Sequence, residues 1–327
     1  MPYAAYMPFP PVKVDPDQEQ RAYGYIWQWV GSSNLCKSPE QRRKLAISNT
    51  HSITTAYYDM ADEESFRPLA RWMALSFVID DFVDEGINSE DGAACAKAVQ
   101  GLVALFSGGK PRTDIQHAAA SLAADIMRGR SPAWRASFRR NVCMWLWASY
   151  ASNIDQLASR RPSLDEYMRV RRTSLGQEQF IDLLEIAVGV DLPESVRHLP
   201  CIREIRLAVV EHMAFGDDVV SLPKEIDAGV EYNAVRVVEY DRGVGRHAAL
   251  EQVIGISNAA VRRYELLREE LPRQLDAVGI RGKQRDDVIR FAHACQQMIR
   301  ANHDFLQTAG RYAAGRDMLA GLTFRPD

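Results

Sequence analysis

The chain has 327 residues, 46% of them apolar and 25% charged, a balance that fits a folded globular protein and excludes a disordered or fibrous one. With 40 Lys and Arg against 43 Asp and Glu, the formal charge is −3, and no dense basic stripe could track a phosphate backbone, so nucleic acid is excluded as a partner. Cys36, Cys95, Cys143, Cys201 and Cys295 are odd in number, far apart and without CxxC spacing, which argues against a disulfide framework or a zinc site and for reduced, mostly buried thiols.

Residues 1–14, rich in Pro and aromatics, read as an extended N-terminal arm lying over the body. The opening stretch has no basic region followed by an apolar run. The longest mainly apolar segments, such as 72–79, fall far short of the roughly 20 residues a membrane helix needs. No membrane span and a cytoplasmic location are expected. Helices begin at Asp15-Pro16, and the same kind of start recurs at Ser38-Pro39 and Ser131-Pro132, while Ser163 with Glu166 forms a capping box. Apolar spacing of 3.6 residues predicts eleven helices, at about 16–30, 39–58, 63–85, 90–106, 113–129, 132–158, 164–188, 201–226, 232–240, 246–276 and 282–308. Strand-like alternation is nearly absent and no break is long enough for a domain linker. The expected architecture is one all-α domain over 15–312, followed by a tail at 313–327.

Residues 72–85 read WMALSFVIDDFVDE, so an apolar helix delivers Asp80, Asp81, Asp84 and Glu85 at its C-terminal end. Carboxylates repel one another and sit badly at the negative end of a helix dipole, so something positive should offset them. Asp80 and Asp84 share a face, and oxygen-only ligation suits Mg²⁺, although a solvated acidic helix end explains the same letters. Residues 217–225 read DDVVSLPKE, in which Asp217, Ser221 and Glu225 are spaced i, i+4, i+8 along one helical face. An acid, a hydroxyl and an acid in register are more specific than an acidic run, the alternative being an ordinary polar face.

DDFVD at 80–84 and DDVVSLPKE at 217–225 resemble the aspartate-rich motif and the NSE/DTE triad of class I terpene synthases, and their separation of about 137 residues resembles that of the microbial single-domain members. Arg171, in EYMRVRRTSLG, lies 46 residues before Asp217, where the family has its diphosphate-sensing arginine, with Arg172 as the alternative. Arg311-Tyr312 resembles the family's C-terminal Arg-Tyr pair, and PFPPVKVDPD near the start is similar to its N-terminal arm. The resemblance covers residues from about 8 to 312.

It implies a helical bundle around a deep apolar cavity, with Asp80, Asp81, Asp84, Asp217, Ser221 and Glu225 holding Mg²⁺, three ions per active site. Arg171 or Arg172, Lys224, Arg311 and Tyr312 would bind the substrate diphosphate. An allylic isoprenoid diphosphate, farnesyl diphosphate before geranyl or geranylgeranyl diphosphate, would be ionised and cyclised by a monomer or homodimer. Phe77, Phe180, Phe215 and Phe305 are expected along the cavity wall, where aromatic faces can stabilise a carbocation, with core packing as the alternative for each. Phe77 is expected deepest, a turn before Asp81. Trp72, Trp145 and Trp147 read as core.

The sequence departs from the family pattern in four places. Asp217 replaces the more frequent Asn, Phe305 stands where Trp is common, and Leu175 occupies a position that is usually small. Pro223, inside the triad, should kink its helix and displace Glu225. A chain-elongating prenyltransferase would carry a second aspartate-rich motif in place of DDVVSLPKE, and a non-catalytic helical scaffold would not need the converging ligands. The seven histidines show no paired spacing, and Gly243-Val244-Gly245 reads as a helix connection.

Overall fold

The structure, a computed structural model, describes residues 6–88 and 92–320, with the side chains of residues 84–88, 92, 94 and 95 outside that description. Helix α1 (Pro16–Ser32) starts where Asp15 accepts from Asp17 N, and α2 (Pro39–Ile47) starts at a reciprocal Ser38/Gln41 box. Then come α3 (Thr50–Tyr57), α4 (Glu63–Asn88), α5 (Gly92–Phe106) and α6 (Asp114–Met127). Helix α7 (Pro132–Leu157) opens under a Ser131 cap and α8 (Leu164–Ser174) under the Ser163/Glu166 box, so all four expected starts are formed. The chain continues through α9 (Gln177–Ala187), α10 (Glu194–Arg197), α11 (Pro200–Asp227), α12 (Ala234–Arg242), α13 (Arg246–Ala277) and α14 (Gly282–Thr308). A 3₁₀ turn at Gly310–Tyr312 leads into α15 (Ala313–Ala320), and no strand occurs among the described residues.

The fold is all-α, as expected, with fifteen α-helices among the described residues where eleven were predicted. Two predicted helices are each broken by a left-handed residue. Asn49 (φ 48°) separates α2 from α3, and Gly176 (φ 75°) separates α8 from α9. At Gly176 a side chain would also have to share space with the Trp145 ring, 2.8 Å from where a Cβ would stand. Residues 313–320, read from sequence as part of a tail, form a helix because Gly315 lets α15 lie directly on α11: a Cβ there would meet the Val220 carbonyl oxygen at 1.8 Å.

Helix α11 is the inner helix of the bundle, packed by α8, α9, α10, α12, α13, α14 and α15, and it buries every residue from Ala208 to Leu222 except Asp217. Helix α4 holds the corresponding place among α1, α3, α5, α6 and α7, burying Trp72, Leu75 and Ile79. Each fully buried side chain of that size contributes about 1.5–3 kcal/mol. Helix α9 packs against both α4 and α11 and so bridges the two. Tyr58 ties this centre together by donating to the Phe180 carbonyl at 3.1 Å.

The arm lies across α13 and α14. Phe9 is buried edge-on against Tyr264, its carbonyl accepts from Arg300 Nη1 at 2.6 Å, and Tyr6 N donates to Asn258 Oδ1 at 2.7 Å. Trp72 and Trp145 are core, whereas Trp147 is 39% exposed, because Trp145 and Leu146 take the inward face of α7 and the next residue points out. Cys36, Cys201 and Cys295 are buried thiols, Cys143 is half-buried, and the Cys95 side chain lies outside the described residues. Gly243 closes α12 with φ 63°, a helix connection as expected. Among the described residues no helix is long and apolar enough to cross a membrane.

Candidate active site

The acidic end of α4 points toward cations carried by three other elements. Asp80 retains some open surface but lies deep in the protein. Burial raises its pKa and so does Asp81, while the charges of Arg311, Lys224 and Arg171 pull it back. An aspartate on α4 is thus within electrostatic reach of the 3₁₀ turn, the C-terminal part of α11 and α8. Asp81 stands on the same helix end, close enough to Cys36 to add to the burial that raises that thiol's pKa. The side chains of Asp84 and Glu85 lie outside the described residues.

On α11, Asp217, Ser221 and Glu225 gather as the spacing predicted. The helix runs through Pro223 to Asp227, and Glu225 stays with the cluster rather than turning away. Burial pushes the Glu225 carboxyl up to about 7, with Asp218 and Asp217 adding to the rise and Ser221 and Arg171 opposing it. Asn233 Nδ2 donates to Glu225 Oε2 at 2.7 Å. Asp217 has both oxygens engaged, Oδ1 accepting from Tyr312 OH at 2.6 Å and Oδ2 from Arg171 Nη2 at 2.7 Å.

Asp218 and Tyr167, which the sequence reading did not single out, form the base of the site. Asp218 is buried and accepts from Arg171 Nε at 2.8 Å, Tyr167 OH at 2.6 Å and Ala234 N at 3.1 Å. The signal for them was present: Asp218 is the second residue of the DD pair, and Tyr167 precedes Arg171 by one helical turn on α8.

The two neighbouring arginines diverge. Arg171 is drawn into the site, where burial lowers its pKa but Asp218, Tyr167, Asp217 and Glu225 more than reverse that. Arg172, the alternative sensor, turns to Glu211, which accepts from Arg172 Nε at 2.7 Å and Arg263 Nη2 at 2.6 Å. Residues adjacent on a helix face directions about 100° apart, and the buried Glu211 carboxylate claims the one on its side. Arg311 lies with its guanidinium carbon 5.1 Å from the Phe77 ring centre and 5.5 Å from that of Tyr312, and its Nη1 is 3.5 Å from Ser48 Oγ. Lys224 is exposed at the rim.

The phenylalanines do not share one role. Phe77, expected deep beneath the acids, instead lies under Arg311 at the charged end. Phe180 and Phe305 are each 7% exposed, Phe305 standing edge-on to Tyr312. Phe215 has 0% exposure, so its ring is enclosed by protein atoms and belongs to packing rather than to a wall. Leu175 is the C-cap of α8 and is half-buried. A large surface cleft of about 1430 Å³ lies away from this cluster, bordered by Arg130, Asp191 and Arg197, and none of the acidic or basic groups of the cluster lines it. A smaller pocket of about 450 Å³ lies between Asp81 and Phe82 of α4, residues 35–37 and residues 113–115.

The donors present suit a hard divalent cation. They are carboxylate and hydroxyl oxygens, and Ser221 Oγ is buried without a hydrogen bond of ordinary geometry. Glu225, raised chiefly by burial, shares this space with the further carboxylates of Asp217 and Asp218, which add to its rise. Among the described residues no three acidic, His or Cys side chains already form a metal cage, consistent with Asp217 being turned to Arg171 and Tyr312.

Residues 71–263 match the family model described as terpene synthase family 2, C-terminal metal binding. Pristinol synthase of Streptomyces pristinaespiralis is 26% identical over 320 residues, covering 94% of this chain and 84% of its own. The (-)-beta-caryophyllene synthase of Saccharothrix espanaensis, named as cyclising (2E,6E)-farnesyl diphosphate, is 26% identical over 321 residues, covering 95% and 89%. The crystal structure of a-eudesmol synthase superposes with a TM-score of 0.84 at 22% identity over 93% of this chain and 98% of that one, a likeness of fold. Matched over more than half its length, and by the part of that family that binds metal, the chain belongs to terpene synthase family 2.

Proposed function

We propose that this terpene synthase is a class I cyclase that ionises farnesyl diphosphate with Mg²⁺ and closes the resulting cation into a sesquiterpene, releasing diphosphate. The observation that carries the reading is the field around Asp80: its carboxylate is felt by Arg311, Lys224 and Arg171, so the aspartate-rich end of α4 and the triad end of α11 address one space. The Saccharothrix relative is named as cyclising farnesyl diphosphate, which supports that substrate here.

In this reading Asp80, Asp81 and Asp84 from α4 and Asp217, Ser221 and Glu225 from α11 hold the metal, three ions per site. When bound, Mg²⁺ supplies positive charge that stabilises the departing diphosphate. The remaining work falls to the chain's own groups. Arg171 and Arg311 offer planar forks suited to paired phosphate oxygens, Lys224 a mobile point charge and Tyr312 one hydroxyl donor. Together they stabilise the diphosphate as the allylic carbon–oxygen bond breaks and both electrons leave with oxygen. Phe180 and Phe305 supply ring faces to a cation that any nucleophile would quench, while the Phe77 ring supports Arg311. The 3₁₀ turn and α15 pack against α11, and in this reading Arg311 and Tyr312 cover the bound diphosphate and keep water from the cation.

The test is to incubate the purified chain with geranyl, farnesyl and geranylgeranyl diphosphates, with and without Mg²⁺, measuring diphosphate release and analysing products by gas chromatography. A cyclic C15 hydrocarbon or alcohol formed only with metal is the expected result. Release from none of the three would end the reading, a C10 or C20 product would change the substrate, and a longer linear diphosphate would indicate chain elongation.

A further inference from the structure

Pro223 removes a backbone donor from the turn of α11 that carries Glu225, so the carbonyl of Val219 loses its helical partner just where a proposed ligand needs a fixed direction. Glu225 is also only two residues from the end of that helix. Its carboxylate is nevertheless held from outside α11. Asn233, fully buried at the N-cap of α12, directs Nδ2 to two acceptors, the Asp218 carbonyl and Glu225 Oε2, each at 2.7 Å. Its Oδ1 accepts from Val235 N at 2.8 Å. The two amide hydrogens and the amide oxygen are all used, which fixes the side chain on three sides.

We infer that Asn233 is a positioning residue for metal binding: it sets the orientation of the Glu225 carboxylate before an ion arrives, replacing the rigidity that Pro223 takes from the helix. The inference rests on the proposed role of Glu225 as a metal ligand. Partners that orient a ligand from behind are worth about 10–100-fold in metal affinity. The same amide also caps α12, so a purely structural role has to be separated from a positioning one.

The full-length chain is titrated with inorganic diphosphate at several Mg²⁺ concentrations by calorimetry. Asn233→Ser keeps a good N-cap and removes the amide donor, while Asn233→Asp keeps the cap acceptor and the size but turns a carboxylate oxygen on Glu225. Both variants should weaken Mg²⁺-dependent diphosphate binding by about tenfold or more while melting within a few degrees of the parent. In a Glu225→Gln background, Asn233→Ser should add little further loss, since the group it orients is already compromised. Parent-like binding in both variants, or an equal loss in the Glu225→Gln background, overturns the inference while leaving the proposed function standing. Absence of Mg²⁺-dependent binding in the parent chain overturns both.

Discussion

Arg171 Nη2 lies 2.7 Å from Asp217 Oδ2, and this ion pair joins the proposed diphosphate sensor to a proposed metal ligand. The other oxygen of Asp217 accepts from Tyr312 OH. A cation that takes Asp217 must compete with both donors, and in doing so it frees them for an incoming diphosphate. An Asn in this position has one acceptor oxygen, so it could hold only one of the two donors well. Asp217→Asn should therefore tighten the binding of inorganic diphosphate in the absence of metal, by about tenfold if one charge-assisted hydrogen bond is released. Calorimetry in excess chelator measures this, and unchanged or weaker binding would rule out the exchange.

The divergence of Arg171 and Arg172 separates two effects in neighbouring residues. The Arg171 fork spans Asp217 and Asp218, a geometry that a single ammonium cannot copy. Arg171→Lys should lower turnover by roughly a hundredfold, corresponding to one or two charge-assisted contacts. Arg172→Gln removes one of two cations from the buried Glu211 and should cost about 1–3 kcal/mol in stability, with turnover changed only a few-fold. Steady-state diphosphate release and chemical denaturation on both variants test the assignment, and the reverse pattern would exchange the two roles.

Phe77 supports a cation in the structure itself. Its ring lies under Arg311, so replacing it affects the binding of diphosphate as well as any wall it presents to the hydrocarbon. Phe77→Leu keeps most of the volume and loses the ring face, a change worth about 0.5–2 kcal/mol at a partly desolvated site. Diphosphate binding in the presence of Mg²⁺ should weaken by roughly 2- to 30-fold to match. An unchanged affinity with an altered product mixture would return Phe77 to the wall.

What could be read from sequence followed from periodicity, and what could not depended on side-chain direction. The spacing of Asp217, Ser221 and Glu225 survives folding because α11 is continuous, and the caps at Asp15, Ser38, Ser131 and Ser163 act locally. Arg171 and Arg172 could not be told apart, because the choice depends on Glu211, which is 40 and 39 positions away respectively. Phe215 reads as a wall residue because it adjoins the triad, yet on a helix enclosed by its neighbours it has no open face. The effect of Pro223 was anticipated as a displacement of Glu225. The compensating contact from Asn233 comes from the next helix and has no local signature beyond an N-cap.

Two buried groups outside the site contribute opposite slopes to the pH dependence of stability. His212 on α11 is fully enclosed, and burial followed by the neighbouring His303 holds its pKa down to about 3, with Nδ1 3.0 Å from Ser257 Oγ. Its contribution is present above the unfolded value of about 6.5 and is lost as pH falls toward the folded one, because the unfolded chain binds a proton first. Glu185 on α9 behaves in the opposite sense. Burial raises it to about 7 although Arg197 and Leu192 N oppose the rise, so its contribution is present below about 4.5 and lost as pH climbs through 7. Between about pH 4.5 and 6.5 the folded chain holds one proton on Glu185 and the unfolded chain one on His212, and the two slopes cancel. Relative to the parent, His212→Gln should become progressively less stable from pH 4.5 to 6.5 and Glu185→Gln progressively more stable, each by about 2 kcal/mol over 1.5 pH units. Urea denaturation of both variants and the parent across that range tests this, and parallel curves for all three proteins would show that neither group is held as described.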